Sequence, residues 1–146
     1  MTRLVADDVA EPERLLCQLD RSLLAVTELD LRALALSAAG LVPTSDGLGE
    51  ALVAAVPMTS GMGPIRGFCP AVAAVLRHLG CQAWVTENAD VNGIHEAAQA
   101  GAEVLFLADD ARFVALNARR GRCVDNDLAT ADGYVAALEA AAGGLE

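Results

Sequence analysis

Apolar positions recur at helical spacing early in the chain and in short unbroken runs through its middle, dividing it into helices and strands. Leu15, Leu16, Leu19, Leu23 and Val26 form one stripe. With Pro12 suited to a first turn, that stripe predicts an amphipathic helix over residues 12–27. Asp30 is placed to cap a second helix through Leu31, Leu34 and Ala35 that stops at Gly40. A polar loop from Leu41 to Gly49 follows. Ala51 to Met58 is continuously apolar and runs into Thr59-Ser60-Gly61-Met62-Gly63, the pattern of a buried parallel strand entering a turn. Pro70 suits the start of a helix through Val72, Val75 and Leu76, closed by Gly80. Gln82 to Glu87 reads as a second strand, and Asp90 to Ala100 as a short helix closed by Gly101. Glu103 to Ala108 reads as a third strand, ending at Asp109-Asp110. Phe113 to Asn117 and Arg122 to Asp125 fit a hairpin around Arg119-Arg120-Gly121, or a helix, which Ala and Arg favour. Thr130 is placed to cap a last helix through Tyr134, Val135 and Leu138.

The alternation of strands and helices requires parallel pairing with right-handed crossovers. The expected fold is α/β: a small three-layer domain with a short central parallel sheet of about three strands, βαβαβ. An N-terminal helical pair, a C-terminal helix and an optional extra hairpin complete it. The 146 residues contain no internal repeat or linker, so 1–146 reads as a single domain, long enough to bury a core.

Composition narrows the function. Hydrophobic residues make up 54% and charged residues 21%, a globular balance. A net charge of −10 argues against a nucleic-acid partner, because nothing here neutralises a phosphate backbone. All ten basic residues are arginines, so no lysine Schiff base or lysine general base is available. No apolar stretch approaches the ~20 residues of a membrane span. Asp7, Asp8, Glu11, Glu13 and Asp20 are unlike a secretory leader, so the chain is expected to be cytoplasmic. Cys17, Cys69, Cys81 and Cys123 show no CxxC spacing, and neither His78 nor His95 lies at ligand spacing from them. Free thiols and no metal are expected.

In an open parallel sheet, ligands lie beyond the carboxyl ends of the strands. Here those ends carry Thr59, Ser60, Gly61 and Gly63 on the first strand, Thr86 and Glu87 on the second, and Asp109 and Asp110 on the third. Hydroxyls and turn N–H groups suit a carboxylate or carbonyl, and carboxylates suit an ammonium group. Together they describe a pocket for a zwitterionic, amine-bearing ligand. Plainer readings stand beside this one. Gly61, Gly63 and Gly67 spell GxGxxxG, a weak imitation of a dinucleotide loop that an ordinary strand–helix turn also explains. Glu87 is only a nominal ribose ligand for such a loop, and Asp109-Asp110 also suits a simple cap. His95 reads as a surface residue, Trp84 as core, and Arg119, Arg120 and Arg122 as a solvated turn.

Three blocks carry a family resemblance. Val56-Pro57-Met58-Thr59-Ser60-Gly61-Met62-Gly63 with Phe68 resembles a VPVTSGNG loop and its trailing Phe. Asp90-Val91-Asn92-Gly93 with Glu96-Ala97 resembles DV[ST]GYYEA, and Gly101-Ala102-Glu103 through Asp109-Asp110 and Phe113 resembles GAxIILMADDxTFLAHN. Leu4, Asp7-Asp8 and Thr27-Glu28-Leu29-Asp30 fall in register. The blocks belong to the pyrrolysine-forming dehydrogenase family, PylD, and essentially the whole chain is similar to its N-terminal substrate domain.

The resemblance implies pyrrolysine biosynthesis. It implies oxidation of the terminal amine of 3-methylornithyl-lysine by hydride transfer, then loss of ammonia and cyclisation. It further implies substrate contacts from Ser60 and Asp109, and a cleft lined by Leu4, Met58 and Phe68. Thr59, Gly61, Gly63, Glu87 and Asp110 complete the expected pocket. This chain departs from the family at Met62, at Gly67 (the displaced loop glycine), and at Ile94 and His95, where the family has tyrosines. The chain ends at Glu146, where the family would begin a GxGxxG nucleotide domain. NAD is therefore expected on a separate Rossmann-type subunit or missing domain, making this one half of a split enzyme that is not active alone and takes no catalytic residue from this chain. Such an arrangement predicts an exposed apolar docking face around Tyr134 and Leu138. The alternatives are a non-catalytic carrier or sensor of pyrrolysine or its precursor, and a domain cut from a longer chain. A homo-oligomer is compatible with either.

Overall fold

The computed structural model describes residues 11–42 and 48–143. Helix α1 (Pro12–Thr27) starts on Pro12 and ends at Glu28, whose positive φ of 60° lets its N–H reach Leu24 O at 3.2 Å. Helix α2 (Leu31–Ala38) is capped as expected, with Asp30 accepting from Ala33 N at 2.7 Å. One carboxylate ties this pair to the next layer. Asp20 of α1 accepts from Leu31 N at 2.9 Å and lies 2.6 Å from Nε2 of His78, at the end of α3 (Phe68–His78).

Strand β1 (Leu52–Pro57) is central, parallel to β2 (Gln82–Val85) on one side and to β3 (Val104–Ala108) on the other. Helix α4 (Asp90–Gln99) lies between β2 and β3 in the chain. The expected three strands are the parallel half of a larger, mixed sheet. Strands β4 (Phe113–Asn117) and β5 (Arg122–Asp125) extend it antiparallel, giving five strands in the order β2-β1-β3-β4-β5. The hairpin prevails over the competing helix because Phe113 and Leu116 find partners in Ala108 and Leu105 of β3. Asn117 Oδ1 accepts from Arg120 N at 2.8 Å and closes the turn.

Two helix starts differ from expectation. Helix α3 opens at Phe68 after Gly67, whose φ is 86°, so Pro70 lies inside the first turn, where its missing N–H leaves no bond unmade. Helix α5 (Asn126–Ala141) is capped by Asp125 rather than Thr130. Asp125 ends β5 in an extended conformation, so the chain turns there, and its side chain accepts from Asp127 N at 2.9 Å. Strand alternation sorts the core onto two faces. Ala54, Val56 and Leu105 pack with Ala97 of α4, whereas Val53 packs with Leu76 of α3 and with Cys81. Helices α3 and α4 therefore cover opposite faces, as right-handed crossovers running from β1 out to β2 and back from β2 to β3 demand. Helix α5 returns against β4 and β5 and meets α1 and α2. Among the described residues no helix is long and apolar enough to cross a membrane.

Candidate functional site

With β1 between β2 and β3 and helices leaving to opposite faces, the topological switch point falls between the carboxyl ends of β1 and β3. That is where Ser60 and Asp109 meet. Ser60 Oγ donates to Asp109 Oδ2 at 3.1 Å, and Met62 N donates to Asp110 Oδ2 at 2.5 Å. Gly61 has φ 67°, and a Cβ there would fall on the Asp110 carboxylate, so glycine is what allows the two turns to approach. Gly63, φ 77°, closes the turn by donating to Ser60 O at 3.2 Å.

Asp109 is exposed yet well held. Its Oδ1 accepts from Ala111 N and Arg112 N, both at 2.8 Å. These backbone bonds, then the Ser60 hydroxyl and the nearby Arg112 charge, hold its carboxyl below the usual carboxylate range. It is anionic at neutral pH. A carboxylate has about four lone-pair sites, and the named bonds use three, so one acceptor site remains for a ligand donor.

The apolar members flank this rim from both faces of the sheet. Phe68 makes an edge contact with Phe113 at 5.5 Å between centroids, and Phe113 a tilted one with Phe106 at 5.9 Å. Met58 packs with the core on the α4 face. Leu4 lies outside the described residues. The end of β2 stands on the far side of β1 from Asp109. Thr86 there is buried and donates to Asn88 O at 2.8 Å, while Glu87 is exposed. Arg119, expected in a solvated turn, pairs with Glu103 at 3.0 Å.

The structure gives a role to two acids that the sequence showed only as part of a short helix and of the second motif block. Glu96 accepts from Glu87 N, Asn88 N and Asn88 Nδ2, each at 2.9 Å, and these bonds lower its pKa. Asp90 accepts from both Thr59 N, at 2.8 Å, and the Thr59 hydroxyl, which lower its pKa in turn. An acid at a helix start ordinarily signals capping of that helix, but α4 has no side-chain cap bond. The loops after β1 and β2 are thus each braced by a carboxylate of α4.

The sign of the pH response follows. The folded pKa values of Asp90, Glu96 and Asp109 lie below their ordinary values. Their contribution is complete above the ordinary carboxylate pKa of about 4 and is lost as pH falls through the folded values. Acidification should therefore release the Thr59, Asn88 and Ala111 amides before those of β1. Exchange measured from pH 6 to 3 and normalised for intrinsic rates checks this; simultaneous loss everywhere would contradict it.

The glycine turn does not fit a dinucleotide pyrophosphate. The Met62 N–H that would meet a phosphate is engaged by Asp110, and the anionic Asp109 stands beside it. Among the described residues no group of three or more His, Cys, Asp or Glu side chains is placed to hold a metal ion. Burial raises the thiol pKa of Cys69 and, against a lowering influence from Arg32, that of Cys81, so neither is an activated nucleophile. An apolar groove of about 720 Å³ lies elsewhere, between α1, α2 and α5, lined by Leu19, Leu23, Leu34 and Tyr134 among others. It shares no residue with the rim, so this groove and the polar chemistry are separate.

By fold and site the chain is an open-sheet α/β domain whose polar side chains gather at a switch point. Residues 8–124 match the family described as pyrrolysine biosynthesis protein PylD, N-terminal domain, and the chain belongs to that family. It is similar to a pyrrolysine synthase of Methanosarcina barkeri (strain Fusaro / DSM 804), 33% identical over 130 residues that cover 89% of this chain and 48% of the relative. A pyrrolysine synthase of Methanosarcina acetivorans is 32% identical with the same coverage. The chain spans about half the length of these relatives.

Proposed function

We propose that this chain is the substrate-binding part of a dehydrogenase that oxidises the terminal amine of 3-methylornithyl-lysine so that it cyclises to pyrrolysine. The observation that carries the reading is the Ser60–Asp109 pair at the switch point, 3.1 Å apart beside the Phe68–Phe113 contact. The remaining acceptor site of Asp109 takes an ammonium group of the substrate, and the Ser60 hydroxyl fixes that carboxylate while offering its own oxygen to a second donor. Phe68 and Met58 line the aliphatic part of the cleft. NAD, which accepts the hydride, is held by a separate Rossmann-type subunit or domain, in keeping with a glycine turn that does not suit pyrophosphate.

An apolar surface on α5 supports a docking partner: Tyr134 is 70% exposed and Leu138 68%, with Leu128 and Val135 also exposed. Mixing the chain with Rossmann-type NAD-binding proteins, NAD and 3-methylornithyl-lysine should yield pyrrolysine by mass spectrometry. No product and no co-purifying partner would overturn the split arrangement. Binding of pyrrolysine or its precursor without turnover in any mixture would favour a cytoplasmic carrier or sensor instead.

A further inference from the structure

We propose that Asp90 is the positioning residue of the rim: it grips Thr59 and thereby sets Ser60 against Asp109. The inference rests on the substrate-binding reading of the same site and names what holds that site in shape.

Asp90 opens α4 with φ 52°, in the left-handed region that side chains rarely adopt. Its carboxylate makes no cap to its own helix. Both oxygens reach instead to a single residue 31 positions earlier, Oδ1 to Thr59 N at 2.8 Å and Oδ2 to the Thr59 hydroxyl. Two bonds to one residue fix orientation as well as distance. Thr59 is the residue before Ser60, so its plane sets the direction from which the Ser60 hydroxyl approaches Asp109. The base of the latch is firm, because Gly93 on the first turn of α4 is buried with no room for a Cβ: Val56 Cγ1 would lie 2.6 Å from it. The β1 turn is therefore held from two sides, by Asp90 on the α4 side and by Asp109 and Asp110 on the β3 side. Asp109 is anchored by its own turn. The adjustable member of the pair is Ser60, and Asp90 is what adjusts it.

The test uses the whole chain, titrated with 3-methylornithyl-lysine in a calorimeter. Asp90→Ala should weaken binding about tenfold, the scale of one to two hydrogen bonds to a charged group. Asp90→Asn, whose amide oxygen still accepts from Thr59 N and whose amide nitrogen can donate to the hydroxyl, should recover to within about threefold. The deciding arm is the Ser60→Ala background. If Asp90 acts through Ser60, adding Asp90→Ala there changes affinity by less than about twofold, the signature of coupled sites. A full tenfold loss in both backgrounds would mean a general structural role and overturn the proposal. Amide exchange provides an arm independent of the substrate. Asp90→Ala should cost protection at Met62 and Gly63, which Asp90 does not touch, while Val53–Val56 keep theirs. Unchanged Met62 and Gly63 would overturn the latch. Failure of the unaltered chain to bind the substrate, with the exchange result intact, would overturn the substrate reading and leave the latch standing.

Discussion

Replacing Gly93 with valine should lower the thermal midpoint by about 10 °C, the equivalent of about 3 kcal/mol in a domain of this size. Gly93 lies on α4 where that helix meets the end of β1. A Cβ there would approach Val56 Cγ1 at 2.6 Å and Thr86 Oγ1 at 3.0 Å, and would collide with the Asn88 carbonyl. Val56 is 1% exposed and Thr86 4%, so neither side chain has room to swing away, and the Asn88 carbonyl is backbone. Helix propensity acts the other way, because glycine costs about 1 kcal/mol relative to alanine inside a helix. Overpacking of about 1–3 kcal/mol for the first carbons exceeds that gain, and the branched carbons of valine add to it. Alanine at Gly93 should thus be mildly destabilising and valine severely so. Calorimetric unfolding of both variants checks the order. A valine variant as stable as the original chain would show that α4 is not seated on β1 as described.

Changing Asp109 to asparagine should leave the chain folded but weaken binding of 3-methylornithyl-lysine about 100-fold, since the charge and the acceptor that meet the ammonium group are lost together. The amide oxygen of asparagine can still accept from Ala111 N and Arg112 N, so the turn after β3 is preserved. The other arm becomes an NH2 group. It no longer accepts from Ser60, and it presents donors where an ammonium needs an acceptor. Loss of charge and reversal of polarity thus act together on the ligand while the backbone turn stays supported. Calorimetry reads the affinity and circular dichroism verifies the fold. Undiminished affinity in a folded variant would remove Asp109 from the site.

Much of this arrangement is legible along the chain. The apolar run before Thr59-Ser60-Gly61 marks a parallel strand and its turn, and Asp109-Asp110 marks the end of another. The rule that ligands lie beyond the carboxyl ends of parallel strands brings those two turns to one rim. The motif blocks carry the family for the same reason: the turn residues cluster in sequence wherever a strand ends. Less legible were the braces. Asp90 and Glu96 look like ordinary acids on a short helix, and nothing in their spacing reveals that they serve neighbouring loops. Thr86 and Glu87 look like site residues by the same strand-end rule that brings Ser60 and Asp109 to one rim. That rule does not say which turn folds back on itself, and Thr86 turns inward to Asn88 O.

The sequence by itself determined the order of helices and strands as far as the third strand, the parallel pairing of those three strands and the polar character of their ends. Those properties reside in local periodicity and turn chemistry, which a few consecutive residues encode. Only the tertiary structure decided that Phe113–Asn117 extends the sheet, that Met58 and Phe68 flank the rim from opposite faces, and that Asp90 reaches Thr59. Each of these depends on which distant groups come within about 3 Å once the crossovers close, and a hydrogen bond is a matter of that distance and angle, not of separation along the chain.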